Sequence, residues 1–335
     1  MENFCTYFDH RYLAQGLALY QSLKDHSFPF QLWVLCLDDE CHQALLSLGL
    51  KGMQLIRLKE FEEQDEELLK AKQNRSPVEY YFTCTPSLPL FIFKHFPQVQ
   101  RVTYLDADLF FFSNPAPLFE AMDGGSIALI EHRSRNKKFL ERYGTYNIGW
   151  LSFRRDERAL GCLQEWRRQC LEWCYDRIEP GRFADQKYLD DWPTRYEGVV
   201  VLGHKGANLA PWNVSRYRIH SKGGAVRVDE VPLIFFHFHI LKGFLGWICS
   251  WGRSGILKRP SKEIRQLIYA PYLEILKRTG SPTLNSLRNA VVSSYLWSFV
   301  PNFFNLAVVR ANAKKFSKVR ARINREFDSR LRGGK

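Results

Sequence analysis

Several features that would assign this 335-residue chain to other protein classes are missing. None of its eight cysteines forms a CxxC pair. Cys170 and Cys174 lie one helical turn apart, but no histidine accompanies them at the spacing of a zinc site. We therefore expect buried, reduced thiols and a cytoplasmic setting. The start, MENFCTYFDHRY, lacks the basic and apolar regions of a signal peptide, so we expect the protein to stay where it is made.

Internal repeats and low-complexity segments are missing as well, and acidic residues are in deficit. Apolar residues make up 45% of the chain and aromatic residues 15%, which excludes a disordered protein. Lys and Arg (48) outnumber Asp and Glu (35), giving a net charge of +13. Such a charge indicates an anionic partner: nucleic acid, a phosphate-bearing substrate or an anionic membrane. Nucleic acid is not expected, because no recognition motif accompanies the basic segments.

Short apolar runs alternate with amphipathic stretches, and this alternation predicts the fold class. It indicates an α/β protein with a mostly parallel central sheet covered by helices on both faces. In such sheets ligands gather at the carboxyl ends of strands. The predicted strands are 4–8, 31–37, 53–58, 102–105, 126–130, 147–153, 198–202 and 231–238. The predicted helices cover 12–23, 88–95 and 159–175, with a further helix from a cap at 38–39 through 48.

The composition changes towards the C-terminus. We expect one domain over 1–255 and a helical, basic extension over 256–335. Residues 289–309 carry no charge, and 311–335 hold nine Lys and Arg against one Glu and one Asp. We favour helices that lie on the anionic inner face of a membrane, making the protein peripheral. A membrane span, interrupted by Pro301, and a tail packed on protein are the alternatives.

The segment VTYLDADLFFF places two carboxylates, Asp106 and Asp108, directly after an apolar strand. In an extended chain these side chains point to the same side, with Ala107 turned to the sheet. Buried carboxylates are costly without a compensating charge, and a divalent metal that bridges them to a diphosphate would supply it. The alternative is that both aspartates cap the turn SNP that follows.

A second pair, His237 and His239 in VPLIFFHFHILKG, also follows an apolar run. Imidazole beside carboxylates suits Mn²⁺ better than Ca²⁺ or a fully hydrated Mg²⁺. We expect Mn²⁺, with Mg²⁺ as the alternative. Lys242 is suited to contact a metal-bound diphosphate. Either histidine alone could be a core residue, but the combination favours a site.

Four segments in this order, YLDADLFF, YNIGWLSF, ADQKYL and FFHFHILK, resemble motifs of retaining glycosyltransferases with the A-type (GT-A) fold. The family includes glycogenin and bacterial lipopolysaccharide galactosyl- and glucosyltransferases, and the resemblance covers about residues 3–245. It implies a single Rossmann-like domain, a nucleotide diphosphate sugar donor such as a UDP-sugar, and retention at the anomeric carbon. The last segment lacks the family's usual glycine, and its Lys comes one place early. His237 matches the family's metal ligand, with His239 as the alternative.

The resemblance also implies roles for single residues. In this family the first strand contacts the nucleotide base. Asn147 would bond the donor sugar, and Gly149 would leave room for it. The implied donor-binding residues are Thr6, Tyr7, Asp9, Asp106, Ala107, Asn147, Gly149 and Lys242.

The catalytic residues implied are Asp185, which would bond sugar hydroxyls, and Gln186, near the anomeric carbon. Because the amide of Gln186 is a poor nucleophile, attack on the face of the departing diphosphate is favoured. Double displacement with Asp185 as nucleophile is the alternative. In APWNVSRY, Trp212 and Asn213 are candidates for acceptor binding, since an indole face beside an amide suits a sugar ring. Trp212 could instead pack its loop onto the core.

The sequence thus predicts a retaining, metal-dependent glycosyltransferase that acts on a glycan or lipid-linked acceptor. A nucleotidyltransferase on a similar sheet is one alternative, but FCTYFDHRYLAQG lacks the glycine-rich phosphate loop of that class. A catalytically silent sugar-binding protein is the other. The intact carboxylate, histidine and Asp185-Gln186 elements argue against it.

Overall fold

The computed structural model describes residues 1–26, 29–63, 65–239 and 260–279. Lys242, the uncharged stretch 289–309 and the basic terminus 311–335 lie outside the described residues. The strands are β1 (Glu2–Phe8), β2 (Phe30–Cys36), β3 (Met53–Arg57), β4 (Arg101–Leu105), β5 (Leu109–Phe111), β6 (Ile127–Glu131), β7 (Tyr146–Arg154), β8 (Val199–Val201), β9 (Ile219–Lys222), β10 (Ala225–Val228), β11 (Val231–Pro232) and β12 (Phe235–His237).

A seven-stranded sheet in the order β3-β2-β1-β4-β7-β6-β8 forms the centre of the domain. Its strand pairs are parallel except for the two made by β7, which runs antiparallel to β4 and to β6. The prediction of an α/β fold with a mostly parallel central sheet is therefore confirmed. Because β7 is reversed, its first residues lie at the same edge of the sheet as the last residues of β4 and β6.

Helices cover both faces of this sheet. The α-helices of the described residues are α1 (Leu13–Asp25), α2 (Asp39–Leu48), α3 (Leu58–Glu62), α4 (Glu66–Gln73), α5 (Pro77–Cys84), α6 (Ser87–His95), α7 (Ala116–Ala121), α8 (Lys137–Tyr143), α9 (Glu157–Glu172), α10 (Trp192–Arg195), α11 (Lys262–Ile264) and α12 (Ala270–Arg278). Asp38 caps α2 as predicted, since its side chain accepts from the N–H of Cys41. The prediction for α9 ran three residues too far, because Trp173 has an extended backbone that ends the helix.

Alternation along the strands divides the core into two layers. On β1, Cys5 and Tyr7 face a layer beneath α5, α6 and α9, whereas Phe4 and Phe8 face a layer beneath α1 and α2. Such alternation is the period of two that an extended chain imposes. Both layers are apolar, as expected for a sheet buried on both sides.

The predicted strand 231–238 is divided into β11 and β12. Between them, the N–H of Leu233 bonds the carbonyl of Val226, and the N–H of Ile234 bonds the carbonyl of Gly206. The strand β12 then pairs with β5 in a separate two-stranded sheet, with His237 opposite Leu109. This pairing brings the histidine segment directly against the segment that follows β4.

Residues 262–278 are helical, as predicted, with a π-helical stretch (Arg265–Tyr269) between α11 and α12. They pack onto the same domain: the ring of Tyr272 stacks on Phe238 with centroids 3.8 Å apart and is fully buried. The predicted boundary between a domain over 1–255 and a C-terminal extension over 256–335 stays a prediction. Within the described ranges, the helices are too short or too polar to cross a bilayer.

Candidate active site

The carboxyl end of β4, the start of β7 and the end of β12 meet at one edge of the central sheet. The N–H of Asp106 bonds the carbonyl of Gly149, and the N–H of Phe238 bonds the carbonyl of Asp108. These backbone contacts bring together three of the four segments that carry the resemblance. The predicted convergence of the carboxylate and histidine pairs is therefore present.

Asp108, His237 and His239 form a group that could hold a metal ion, with one ligand atom of each within 4.8 Å of the others. The Nε2 atom of His237 lies 3.1 Å from Asp108 Oδ1 and 3.5 Å from Asp106 Oδ2. Neither contact is aligned as a hydrogen bond, so this buried nitrogen has no hydrogen-bond partner. We call Asp106, Asp108, His237 and His239 the metal cluster.

The two aspartates differ in their electrostatics. Burial raises the pKa of Asp106, and the negative charge of Asp108 adds to this effect. Burial also acts to raise the pKa of Asp108, but the adjacent His237 imidazole outweighs it and holds that pKa below its usual range. Asp106 additionally accepts a hydrogen bond from the Tyr104 hydroxyl at 3.0 Å. Ala107, between them, is 8% exposed and packs into the core as predicted.

Gly149 lies where a larger residue could not. A Cβ atom at this position would be 2.7 Å from Asn147 Oδ1 and 2.9 Å from His237 Nδ1. These distances are shorter than any normal carbon contact. The glycine thus permits Asn147 and His237 to meet, in addition to any room it leaves for a donor.

Asn147 is 5% exposed, and its amide is fully engaged within the protein. Its Nδ2 faces His132 Nε2 at 3.4 Å and Gln186 Oε1 at 3.3 Å, and its Oδ1 accepts from Gly149 N–H and meets His237 Nδ1. Gln186 donates from Nε2 to the carbonyl of Tyr143 at 2.7 Å. In this arrangement Asn147 therefore has no free donor or acceptor for the predicted contact with the donor sugar.

Asp185 is more deeply buried than the two aspartates of the metal cluster, with 4% of it exposed. Burial raises its pKa to about 7, against a hydrogen bond with the Thr85 side chain that lowers it. Ala184, the preceding residue, has φ 46°, a left-handed conformation that is uncommon for a non-glycine residue. The indole N–H of Trp166 donates to the Asp185 carbonyl at 2.8 Å and holds the segment in place.

The predicted base-contacting residues of β1 point to opposite faces. The Tyr7 hydroxyl bonds Thr85 at 3.0 Å, and its ring lies 5.6 Å from that of Tyr104. Thr6 is fully buried on the other face, with Phe4 and Phe8. Tyr7 therefore adjoins the Asp185 side of the site, and Thr6 does not.

Asp9, just beyond β1, is 4% exposed and engaged by its own neighbour. Its carboxylate accepts from the N–H of Arg11 at 3.0 Å and from the Arg11 guanidinium. The Asp9 carboxylate is thus paired with the Arg11 side chain. The contact with the nucleotide base that the resemblance implies for Asp9 stays a prediction.

The predicted acceptor residues fall into two kinds. The Trp212 ring is half-buried and lies 5.3 Å from His237 and 5.6 Å from His239, so it borders the metal cluster. Asn213 is fully buried, and its Nδ2 donates to the carbonyls of His132 and Asn208. Its amide holds the loop together, so of the two residues only Trp212 borders the metal cluster, and acceptor binding by either stays a prediction.

His132 is the site residue that sequence reasoning missed. It directly follows β6, is 2% exposed and contacts Asn147. Burial lowers the pKa of its imidazole to about 3. A signal was present, since His132 follows an apolar strand as Asp106 does, at the same edge of the sheet.

No protein-family model matches the chain. It is 32% identical to the uncharacterized protein YfnD of Bacillus subtilis (strain 168) over 281 residues, which cover 82% of this chain and 89% of that protein. It is also 32% identical to the uncharacterized protein YfnF of the same organism over 244 residues, covering 70% of this chain and 80% of that one.

Among solved structures, the fold is similar to that of the galactosyltransferase LgtC in complex with donor and acceptor sugar analogues, with a TM-score of 0.50 and 14% identity. That similarity covers 82% of this chain and 95% of the other. An active-site mutant of LgtC gives a TM-score of 0.51 over the same shares. At this identity the likeness concerns the fold, and it confirms the resemblance to GT-A proteins. The chain therefore belongs to the family of the Bacillus subtilis proteins YfnD and YfnF, and it has the fold of the GT-A glycosyltransferases.

Proposed function

We propose that this chain is a retaining, metal-dependent glycosyltransferase that moves a sugar from a nucleotide diphosphate donor to a glycan or lipid-linked acceptor. The favoured donor is a UDP-sugar. The observation that carries the proposal is the metal cluster at the edge of a GT-A sheet. There, the buried Nε2 of His237 faces two carboxylates without a hydrogen-bond partner.

The donor atoms of the cluster fit a divalent transition metal. Two carboxylates and two imidazoles favour Mn²⁺, and Mg²⁺ is the second choice. An orphaned buried nitrogen is costly unless an ion or a proton donor completes it. Bound there, the ion would offset the charge of a diphosphate and stabilise it as a leaving group. Lys242, outside the described residues, is the proposed phosphate contact.

The Asp185 side of the site is suited to the donor sugar. A carboxylate held in a buried loop by Trp166 and Thr85 has a fixed position from which to accept hydrogen bonds from sugar hydroxyls. Tyr7, which bonds the same Thr85, extends this side towards β1 and the proposed base contact. The two sides meet through Asp106, whose charge also raises the pKa of Asp185.

The resemblance implies retention, and Gln186 and Asp185 indicate which retaining route to favour. Gln186 is an amide, fixed by Tyr143 and Asn147, and cannot serve as a strong nucleophile. Asp185, with a pKa of about 7, is partly protonated at neutral pH and is a weak candidate for double displacement. We therefore favour attack on the face of the departing diphosphate, with a phosphate oxygen of the leaving group taking the acceptor's proton. Gln186→Ala should lower turnover more than donor affinity.

The experiment is a panel of nucleotide sugars with the full-length protein, with Mn²⁺ or with EDTA. Heat stability and hydrolysis report binding and turnover, and NMR recorded before the released sugar mutarotates gives the anomeric configuration of the product. We expect one donor, a UDP-sugar, to raise the melting temperature and to be turned over only with Mn²⁺, giving a product with the donor's α-configuration. Metal-independent turnover would overturn the metal dependence, and an inverted product would overturn the retaining mechanism.

The acceptor is proposed to lie at an anionic membrane, on the strength of the sequence beyond residue 285. An uncharged aromatic stretch followed by nine Lys and Arg would combine apolar burial with attraction to anionic lipid. Full-length protein should sediment with anionic vesicles at low salt and less so at high salt. Deleting residues 285–335 should abolish this while sparing donor hydrolysis. Full-length protein that ignores the vesicles at low salt would indicate a soluble acceptor.

A further inference from the structure

The segment between β6 and β7 lies along the edge of the sheet that carries the candidate site. None of the residues of its helix, α8, is buried. The helix is fixed at its ends instead. The Asn136 side chain accepts from the N–H of Phe139 at 3.2 Å and caps the start, and the N–H of Thr145, just past the end, donates to Asp190 Oδ1 at 2.6 Å. The helix therefore has a defined position beside the site.

Four half-buried aromatic rings form a row along α8. Phe139 lies nearly parallel to Trp212, with ring centroids 6.4 Å apart, and meets Tyr143 at 5.0 Å. Tyr143 in turn meets Phe183 at 4.8 Å, edge to face. We call Phe139, Tyr143, Phe183 and Trp212 the aromatic row. None of the four rings belongs to the apolar core of the described residues, and each is partly exposed.

The aromatic row joins the two sides of the candidate site. At one end Trp212 lies 5.3 Å from the nearer imidazole of the metal cluster. At the other end Phe183 comes two residues before Asp185, and the carbonyl of Tyr143 accepts from Gln186 Nε2 at 2.7 Å. A molecule lying on the aromatic row would therefore border both the metal cluster and the segment that carries Asp185.

Unpaired positive charge follows the same helix. Five of the thirteen residues from 133 to 145 are basic, and one is acidic. Four of the basic residues are exposed and make no ion pair within the described ranges. They are Arg135, Lys137, Lys138 and Arg142. On the Asp185 side, by contrast, Lys187 pairs with Asp190 at 2.6 Å and Arg182 with Glu179 at 3.2 Å. Of these two sides of the site, the α8 side carries the charge that no carboxylate offsets.

The helical period places two of these cations beside the aromatic row. Residues four apart lie on one line along a helix, so the two rings of α8 share one line, and Lys138 and Arg142 share the next. Lys137 and Glu141 lie on the opposite side, where they can offset each other. The aromatic row thus has two cations along one flank, one helical turn apart.

We propose that the aromatic row, with Lys138 and Arg142, is the acceptor site, and that the acceptor is a phosphate-bearing glycan. Sugar rings lie against the aromatic row, and the phosphate lies between the two cations. A phosphate ester carries about 1.5 to 2 negative charges at neutral pH, so it offsets two cations more fully than the single charge of a uronate. Lysine and arginine both bind phosphate oxygens. The role as acceptor rests on the proposed function, whereas the binding of a phosphate-bearing sugar does not.

The probes are glucose 6-phosphate, glucuronate and glucose, which differ only in the group at C6, together with inorganic phosphate. Saturation-transfer NMR with the full-length protein measures the affinities of the sugars, and competition measures that of inorganic phosphate. No donor, metal ion or turnover is needed, so failure of the proposed transfer is distinct from failure of this inference. We expect glucose 6-phosphate to bind about tenfold more tightly than glucose at low salt, and the difference to shrink at high salt.

Lys138→Gln and Lys137→Gln form a matched pair, because the same exposed side chain is changed at adjacent positions with the same change in net charge. We expect Lys138→Gln to weaken binding of glucose 6-phosphate about threefold, and the added change Arg142→Gln to weaken it about threefold more. Lys137→Gln, on the opposite side of α8, should bind glucose 6-phosphate as the wild type does. Equal losses in Lys137→Gln and Lys138→Gln would attribute the effect to the net charge of the protein and overturn the proposal.

Tyr143→Leu tests the aromatic row. This variant keeps the backbone carbonyl that accepts from Gln186. It should weaken binding of all three sugars and leave that of inorganic phosphate unchanged. If inorganic phosphate binds the wild type as tightly as glucose 6-phosphate does, the site holds no sugar and the inference is wrong.

The remaining outcomes would assign the two cations to another ligand. Glucuronate that binds as tightly as glucose 6-phosphate would contradict a phosphate-bearing glycan. If the double variant Lys138→Gln/Arg142→Gln loses affinity for UDP as much as for glucose 6-phosphate, the cations serve the diphosphate of the donor. If it loses sedimentation with anionic vesicles while Lys137→Gln does not, they serve a lipid surface. A wild type that binds none of the sugars would also overturn the inference, and the donor panel alone would then decide the proposed transfer.

Discussion

Asp108 is half-buried and Asp185 is buried, and different neighbours compensate these two acidic residues of one site. Asp108 lies 3.1 Å from the His237 imidazole, which holds its pKa below the usual range despite burial. Asp185 has the Thr85 side chain as its hydrogen-bond partner, and burial raises its pKa to about 7. Asp108 thus stays charged at neutral pH, as its proposed role as a metal ligand requires. Asp185 is close to half-protonated at neutral pH, which would suit its proposed contact with the neutral hydroxyls of a sugar.

The largest expected effect separates the two residues by function. Asp108→Asn and Asp185→Asn make the same chemical change, but only Asp108→Asn removes a charge from the metal cluster. We expect Asp108→Asn to weaken Mn²⁺ binding and to lower Mn²⁺-dependent donor hydrolysis by more than about 100-fold. Asp185→Asn should lower hydrolysis while leaving Mn²⁺ affinity, measured by calorimetry, as in the wild type. Equal losses of Mn²⁺ affinity in both variants would remove the distinction.

The second effect concerns the free energy of unfolding, and its size depends on pH. The pKa of Asp185 is raised to about 7 in the folded protein from an ordinary value of 3.8. The unfolded chain therefore ionises first, and the wild type loses stability as the pH rises from about 4 to 7. The Asp185→Asn side chain cannot ionise. The free energy of unfolding of this variant should therefore rise relative to that of the wild type over this window, by at most about 4 kcal/mol above pH 7.

Urea unfolding of both proteins at several pH values measures this difference. Loss of the hydrogen bond to Thr85 in the variant would lower its free energy of unfolding equally at every pH, so this loss cannot produce the expected pH dependence. A stability difference that stays constant between pH 4 and 8 would show that Asp185 is not destabilised by its burial.

The smallest effect tests how tightly the metal side is packed. Gly149→Ala would place a Cβ against Asn147 and His237, and overpacking of this kind costs about 1–3 kcal/mol. We expect lower stability and weaker Mn²⁺ binding together. Gly161→Ala, on α9 with open space around it, is the control and should stabilise by about 1 kcal/mol. Unchanged Mn²⁺ affinity in Gly149→Ala would argue against a tightly packed cluster.

Local patterns in the sequence were sufficient to predict the strands of the central sheet and about half of the candidate site. The apolar runs predicted the seven central strands to within about two residues at their ends, because buried parallel strands are continuously apolar. Asp106, Asp108 and His237 could be grouped because each follows such a run. Pairing of β12 with β5, outside the central sheet, was not visible, since it depends on the hydrogen bonds of Leu233 and Ile234.

What could not be predicted is how polar side chains engage one another across the fold. Asn213 reads as an exposed loop amide, but its neighbours in space engage both donors of its Nδ2 and its Oδ1. His132 reaches Asn147 because β6 pairs antiparallel with β7, with Ile130 opposite Asn147. That register joins residues 15 positions apart, which no local pattern reveals.

The most direct test of the central claim is calorimetric titration of UDP into the full-length protein, once with Mn²⁺ and once with EDTA. If the metal cluster joins the protein to a diphosphate, UDP should bind with Mn²⁺, and binding should fall below detection in EDTA. Asp108→Asn in Mn²⁺ should then resemble the wild type in EDTA. UDP binding of equal affinity in Mn²⁺ and in EDTA would contradict the account.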